Sequence, residues 1–88
     1  MNTEKTFADR LKELRNIRNY TQEELGKITN ISVQSIRRYE QGRLNEEPSA
    51  YNLLQLAKAL DVTPEYLLIG DNNMTSYTEA IKRELKQL

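Results

Sequence analysis

The sequence predicts an all-α protein: a bundle of five helices, followed by a short sixth helix. The 88-residue chain contains three glycines and two prolines, and all of them except Gly26 fall between segments whose apolar residues recur every three or four positions. A serine or threonine stands before five of these six segments, where it can cap the first turn of a helix. At this length the apolar residues suffice for one core, so a single domain is expected.

The first helix is predicted from about Thr6 to Arg18. Its apolar stripe consists of Phe7, Leu11, Leu14 and Ile17. The second helix begins at Thr21, because Thr21 and Glu24 have the spacing of a capping box. Tyr20 before this cap and Leu25 after it are placed to form a hydrophobic staple.

The second helix is short and is followed by a tight turn. Asn30 suits this turn because asparagine tolerates the left-handed conformation, and Ser32 can cap a third helix from Val33 to Gln41 that ends at Gly42. Val33 and Ile36 are expected to face inward, together with either Tyr39 or Glu40. The outward residues are expected to be Gln34, Arg37, Arg38 and Gln41.

Two more helices complete the predicted domain, which spans residues 6–70. Ser49 caps the fourth, whose apolar face is wide enough to imply a central position: Tyr51, Leu53, Leu54, Leu56, Ala57 and Leu60. The fifth starts with Thr63 and Pro64 and ends at Gly70. Residues 71–75 are a predicted linker, and residues 76–88 a predicted amphipathic helix whose stripe is Tyr77, Ile81, Leu85 and Leu88.

The composition excludes several classes of function. The chain has no His or Cys, which removes zinc sites, thiol nucleophiles and imidazole bases, so neither a metal nor a cofactor is expected. No segment is long and apolar enough to predict a membrane span, and a cytoplasmic protein is expected.

Lys and Arg number 13 and Asp and Glu 13, so the formal net charge is zero. Residues 1–45 carry nine basic and six acidic side chains, hence +3, whereas residues 46–88 carry four and seven, hence −3.

The segment TQEELGKITNISVQSIRRYEQG, residues 21–42, together with RLKELRNIRNY before it and PSAYNLLQLAKALDVTPEYLL after it, resembles the Cro-like helix-turn-helix family, also called the XRE family. The resemblance extends from about Phe7 to Ile69. It implies a lambda-repressor-like bundle whose helix-turn-helix motif spans residues 21–41 and whose third helix enters the major groove of double-stranded DNA. Gly26 departs from the alanine that the family often has, and Asn30 from its usual turn glycine.

The resemblance also implies which residues would contact DNA. Base edges would be contacted by Val33, Gln34 and Arg38, with Ser35 and Arg37 as weaker candidates. Gln22, Ser32 and Arg43 would contact phosphates. Arg15 and Glu40 match a family pair that forms a structural ion pair between the first and third helices.

The function implied is that of a sequence-specific transcriptional regulator, a repressor acting as a homodimer on a palindromic operator. The stripe Tyr77, Ile81, Leu85 and Leu88 is a candidate dimer interface, although the same helix could instead fold back on its own domain. Alternatives are a controller of a restriction-modification system, and a protein-binding adaptor or antitoxin. An enzyme is not expected, because the acidic pairs Glu23/Glu24 and Glu46/Glu47 accompany no pocket or phosphate-binding loop.

Overall fold

A computed structural model describes residues 5–43 and 47–70, and these residues form five α-helices without a β-strand. The helices are α1 (Phe7–Ile17), α2 (Gln22–Thr29), α3 (Val33–Gln41), α4 (Ala50–Leu60) and α5 (Pro64–Ile69). The predicted number, order and approximate bounds of the first five helices are confirmed. The predicted linker at residues 71–75 and the predicted helix at residues 76–88 lie outside the described residues. None of the five helices is long and apolar enough to cross a membrane.

Side-chain hydroxyls define where each of the five described helices begins. The five N-caps are Thr6, Thr21, Ser32, Ser49 and Thr63. The capping box predicted at Thr21 is present, because its Oγ1 accepts the Glu24 backbone N–H at 3.0 Å while Glu24 Oε1 accepts the Thr21 N–H at 2.8 Å. A second capping box, which was not predicted, joins Thr6 and Asp9 at the start of α1.

The turns between helices use residues in the left-handed conformation. Asn30 closes α2 with φ 60° and ψ 33°, as predicted, and Gly42 closes α3 with φ 71°. Asn19 and Asp61 also have positive φ, at 60° and 58°. Asparagine and aspartate are the non-glycine residues that adopt this conformation most readily, so the chain reverses at these points with few glycines.

The core lies between the helices, and the inner side of α3 packs against it. The side chains without any exposure are Leu11, Leu25, Ile36, Leu56, Leu60 and Leu67. α3 packs against α1 and α2, α4 against α2 and α5, and α5 against α1. The ring of Tyr39 in α3 meets Phe7 in α1 edge to face, with centroids 6.2 Å apart. The opposite side of α3 is thereby left for solvent or a ligand.

The apolar faces predicted for α1 and α4 are too wide. Ile17, Tyr51 and Leu54 are 65%, 64% and 46% exposed. At about 100° per residue, Ile17 lies roughly 120° around α1 from the buried Leu11. Tyr51 and Leu54 lie roughly 170° and 110° around α4 from the centre of the stripe that packs inward. α4 therefore packs against α2 and α5 through a narrower face than predicted, and the inclusion of Tyr51 and Leu54 in that face is wrong.

A buried arginine joins the two ends of the domain. Arg10 in α1 is 7% exposed, and its guanidinium donates to the carbonyls of Lys5, Leu67 and Leu68 at 2.6, 2.9 and 2.7 Å. The last two carbonyls belong to the final turn of α5, where backbone acceptors lack partners within the helix and attract a cation. Arg10 thus caps α5 and ties the end of this helix to α1.

Candidate nucleic-acid interface

The turn between α2 and α3 brings the two helices close together. The Ile31 backbone N–H donates to the Gly26 carbonyl at 3.1 Å, and the Ile31 side chain is buried. A Cβ added to Gly26 would lie 2.8 Å from the Ile31 carbonyl oxygen, a distance at which the backbone would have to move. Glycine is therefore required at position 26 by packing, in spite of its poor helix propensity.

The outer face of α3 carries the residues predicted to contact base edges. Gln34, Arg37 and Arg38 are exposed, whereas Val33 and Ser35 are half-buried. Their neighbours Ile36, Tyr39 and Glu40 are buried and anchor the helix. Gln34, Arg37 and Arg38 thus lie on the exposed face of α3, and Val33 and Ser35 lie at its two margins.

The two arginines on this face differ in their surroundings. Arg37 Nη2 pairs with Glu23 Oε2 of α2 at 3.2 Å, and the two side chains are 48% and 61% exposed. This ion pair between the helices of the motif was not predicted, because it depends on how α2 crosses α3. Arg38 instead donates from Nη2 to the hydroxyl of Ser35, one turn earlier in the same helix, at 3.3 Å.

Gln22, a predicted phosphate contact, belongs to a hydrogen-bonded cluster. Its Nε2 donates to Glu40 Oε1 at 3.1 Å. Glu40 also accepts from Arg15, through Nε at 2.7 Å and Nη2 at 3.0 Å, and Arg15 Nη1 donates to the Tyr20 carbonyl at 2.8 Å. The Arg15 and Glu40 side chains are 13% and 3% exposed, and their hydrogen bond raises the pKa of Arg15 above its usual value. The pair thus joins α1 to α3, in the position that the resemblance implied, and orients the Gln22 amide at the start of α2.

The remaining predicted phosphate contacts flank α3. Ser32 is exposed at its start, and its hydroxyl accepts the Ser35 N–H at 3.1 Å as the N-cap. Arg43 is exposed directly after Gly42 at the other end. Of the two loop carboxylates, Glu47 is exposed and Glu46 lies outside the described residues. Three predicted phosphate contacts thus stand at the N-termini of α2 and α3 and past the C-terminus of α3, where they would bracket a helix lying in a groove.

No group of three or more Asp and Glu side chains in residues 5–43 and 47–70 is placed to hold a metal ion. The exposed polar face of α3, the acute turn before it and the capped start of α2 together define a helix-turn-helix domain. Comparison with known proteins agrees, since a family model described as "Helix-turn-helix" matches residues 11–67. The chain belongs to this helix-turn-helix family.

Two characterised relatives are transcription factors by name. Repressor protein C2 of Salmonella phage P22 is 38% identical over 76 residues, which cover 86% of this chain and 34% of C2. The HTH-type transcriptional regulator DicA of Escherichia coli (strain K12) is 34% identical over 68 residues, covering 77% of this chain and 49% of DicA. The chain therefore matches between a third and a half of the length of these relatives.

Two solved structures share the fold. The P22 c2 repressor protein, crystallised in complex with synthetic operator 9T in the presence of Tl⁺, has a TM-score of 0.71 and 35% identity, covering 77% of this chain and 100% of that chain. The restriction-modification controller protein C.AhdI from Aeromonas hydrophila has a TM-score of 0.63 and 35% identity, covering 70% and 91%. The lambda-repressor-like five-helix architecture predicted from sequence is thus confirmed.

Proposed function

We propose that this protein is a sequence-specific, double-stranded DNA-binding transcriptional regulator that acts as a repressor. The observation that supports this most directly is the outer face of α3, which directly follows an acute turn: Gln34 and Arg38 are exposed on it, and half-buried Val33 stands at its N-terminal edge. A glutamine amide can pair with adenine N6 and N7, an arginine with guanine O6 and N7, and a valine can contact a thymine methyl group. The P22 c2 repressor, similar in sequence and fold, was crystallised with operator DNA.

Phosphate contacts would set the position of α3 in the groove. Gln22 is suited to this role, because Glu40 engages one of its two amide N–H groups and the other remains for a phosphate oxygen. Ser32 and Arg43 would bind the backbone on either side. Arg37 is the weaker candidate for a base contact, because its ion pair with Glu23 must be broken or shared before it can reach DNA.

We further propose that the regulator binds DNA as a homodimer. One domain contacts too few base pairs to be selective, whereas two recognition helices related by a two-fold axis can enter successive major grooves about 34 Å apart. Leu68 and Ile69 at the end of α5 are 42% and 47% exposed and lie next to the point where the chain continues. The dimer interface would combine this end of α5 with the apolar stripe predicted beyond it: Tyr77, Ile81, Leu85 and Leu88.

Selection of bound fragments from a random duplex library tests the proposed function. We expect enrichment of an inverted repeat whose half-sites are centred about 10 base pairs, or a multiple of this, apart. Replacing Arg38 by Ala should weaken binding to the enriched site by about 1–3 kcal/mol and relax one base pair of each half-site. Replacing Arg43 should weaken all sequences alike and reduce the salt slope by about 1. Lys58→Ala, on an exposed part of α4, is the matched control. A library without enrichment would contradict the proposal.

The dimer is tested separately, by sedimentation of the full chain at several concentrations. Leu85→Asp should dissociate the dimer if the stripe takes part in it. Dimerisation that survives Leu85→Asp but not Leu68→Asp would limit the interface to α5. This result would agree with the alternative that the last helix folds back on its own domain.

C.AhdI supports a second candidate within the same class, a controller of a restriction-modification system. The genes next to this one would distinguish the two, since a controller should adjoin an endonuclease and a methyltransferase. In both cases we propose a binding protein and not an enzyme, working in the cytoplasm, where the bacterial chromosome lies.

A further inference from the structure

Three side chains form a continuous hydrogen-bonded row along the exposed edge of α3. Ser32 Oγ donates to Ser35 Oγ at 2.9 Å, and Arg38 Nη2 donates to the same Ser35 Oγ at 3.3 Å. The three residues are spaced by three positions, so they lie one above another on the helix. Ser35 is the middle member of this row.

The hydroxyl of Ser35 is already engaged by its two neighbours. A serine hydroxyl has one hydrogen to donate and two lone pairs to accept with, and Ser32 and Arg38 occupy both lone pairs. Ser32 is itself fixed, because its Oγ accepts the Ser35 backbone N–H at 3.1 Å as the cap of the helix. The position of the Ser35 hydroxyl is thus set by the first turn of α3.

This row also restricts the guanidinium of Arg38. The hydrogen bond draws the guanidinium back toward the N-terminal turn, the part of α3 that also carries Val33 and Gln34. Arginine has five N–H donors, and the bond to Ser35 uses one of them; a guanidinium can also pair in a bidentate manner with the O6 and N7 atoms of guanine. A free arginine side chain has large rotamer entropy that it loses on binding, and a side chain already held in place loses less.

We propose that Ser35 is a positioning residue for Arg38 and determines base specificity through it, without contacting a base itself. This inference rests on the proposed function. It assigns Ser35 a different role from the direct base contact that the family resemblance implied. It also explains how one exposed arginine on a short helix could favour a single base pair.

A double-mutant cycle on the full chain tests the inference, with the fluorescently labelled duplex that the wild-type protein selects from a random library as the probe. Arg38→Ala should weaken binding about 5- to 150-fold. Ser35→Ala should weaken it about 3- to 10-fold and relax specificity at the same base pair as Arg38→Ala. The double variant should bind no more weakly than Arg38→Ala alone, since Ser35 acts only through Arg38. Ser35→Thr, which keeps the hydroxyl, should restore binding to within about twofold of wild type.

Folding cannot account for this pattern. Alanine is a better helix former than serine, and Ser32 still caps the helix in Ser35→Ala, so this variant should melt at or above the wild-type temperature. A loosened α3 would weaken binding to every duplex equally, whereas lost positioning changes the preference at one base pair.

Two results would overturn the inference while leaving the proposed function intact. One is that Ser35→Ala also weakens DNA binding in the Arg38→Ala background, or that it relaxes specificity at a different base pair. Ser35 would then contact DNA directly. The other is the absence of any loss in Ser35→Ala. Failure of the wild-type chain to select a duplex would instead refute the proposed function, and the inference with it.

Discussion

Replacement of Glu40 by Gln should destabilise the domain more than any change of an exposed charge. Glu40 is almost completely buried, and its carboxylate accepts three hydrogen bonds, two from Arg15 and one from Gln22. A glutamine of the same size keeps one acceptor oxygen but turns an amide donor toward a guanidinium that is also a donor. The variant therefore leaves the Arg15 charge largely buried without its partner.

The structure sets the magnitude of this effect. Removing one member of a buried ion pair costs about 3–5 kcal/mol. We expect the lower limit, about 3 kcal/mol, because the Arg15 side chain is 13% exposed to solvent and would still donate a hydrogen bond to the Tyr20 carbonyl. A domain of this size unfolds with a free energy of roughly 4–13 kcal/mol, so the loss is a large fraction of the total. The melting temperature should fall by about 12–24 °C.

Thermal unfolding followed by circular dichroism measures the loss, and two further variants test its cause. In Arg15→Met/Glu40→Leu both charges are gone, and this protein should melt above Glu40→Gln, since an apolar pair leaves no buried charge. Asp61→Asn removes the exposed ion pair with Arg18, in which the two side chains are 42% and 86% exposed, and should change stability by less than about 1 kcal/mol. Asparagine also tolerates the positive φ of position 61.

The interpretation would be refuted if Glu40→Gln melted within a few degrees of the wild-type protein. It would also fail if the double variant were less stable than Glu40→Gln, because the cost would then come from lost packing and not from an unpaired charge.

Three further changes give expected outcomes that thermal unfolding can check. Gly26→Ala should lower stability by about 1–3 kcal/mol, because the new Cβ meets the Ile31 carbonyl; a more stable variant would show that the turn can relax. Arg10→Met should cost about 2–4 kcal/mol, since it leaves carbonyls in the last turn of α5 without their donor, and an unchanged melting temperature would contradict the capping role. The hydrogen bond from the Thr6 backbone N–H lowers the pKa of Asp9 below 3.8, so ionised Asp9 stabilises the fold above this pH, and the stabilisation is lost as pH falls through the folded-state pKa. On acidification from about pH 5 to pH 2, the melting temperature of Asp9→Asn should therefore fall less than that of the wild type. An equal fall in both proteins would refute this.

The helices were predictable from sequence because their ends depend on local chemistry. The hydroxyl caps at Thr21 and Ser32 and the left-handed residue Asn30 act within three or four positions, so their effect is visible in the order of residues alone. The exposure of Tyr51 was not predictable in this way, because apolar periodicity shows which residues share a face but not how many neighbours cover it. The capping of α5 by Arg10 links residues 57 positions apart and leaves no local pattern.

In the candidate site too, features set by local sequence were predictable, whereas features set by contacts between helices were not. Which residues lie on the outer face of α3 follows from helical period and from the position of Gly42. The pairing of Arg37 with Glu23 depends instead on the crossing of α2 and α3, and the row from Ser32 to Arg38 on side-chain rotamers. Spacing alone did not identify the ion pair of Arg15 with Glu40 either; it was implied by the family resemblance.

The structure also changes what the neutral net charge implies for DNA binding. At least five of the nine basic residues in the first 45 positions are held in ion pairs or against backbone carbonyls. Four form ion pairs and one is buried against carbonyls: Lys5, Arg15, Arg18 and Arg37, and Arg10. Each cation that neutralises a phosphate contributes about 0.9 to the slope of log affinity against log salt, so cations already paired with carboxylates make this slope small. For the proposed regulator we therefore expect weak binding to random DNA, so that most of its affinity comes from matched base contacts, and a dimer on a repeated site would make these contacts twice.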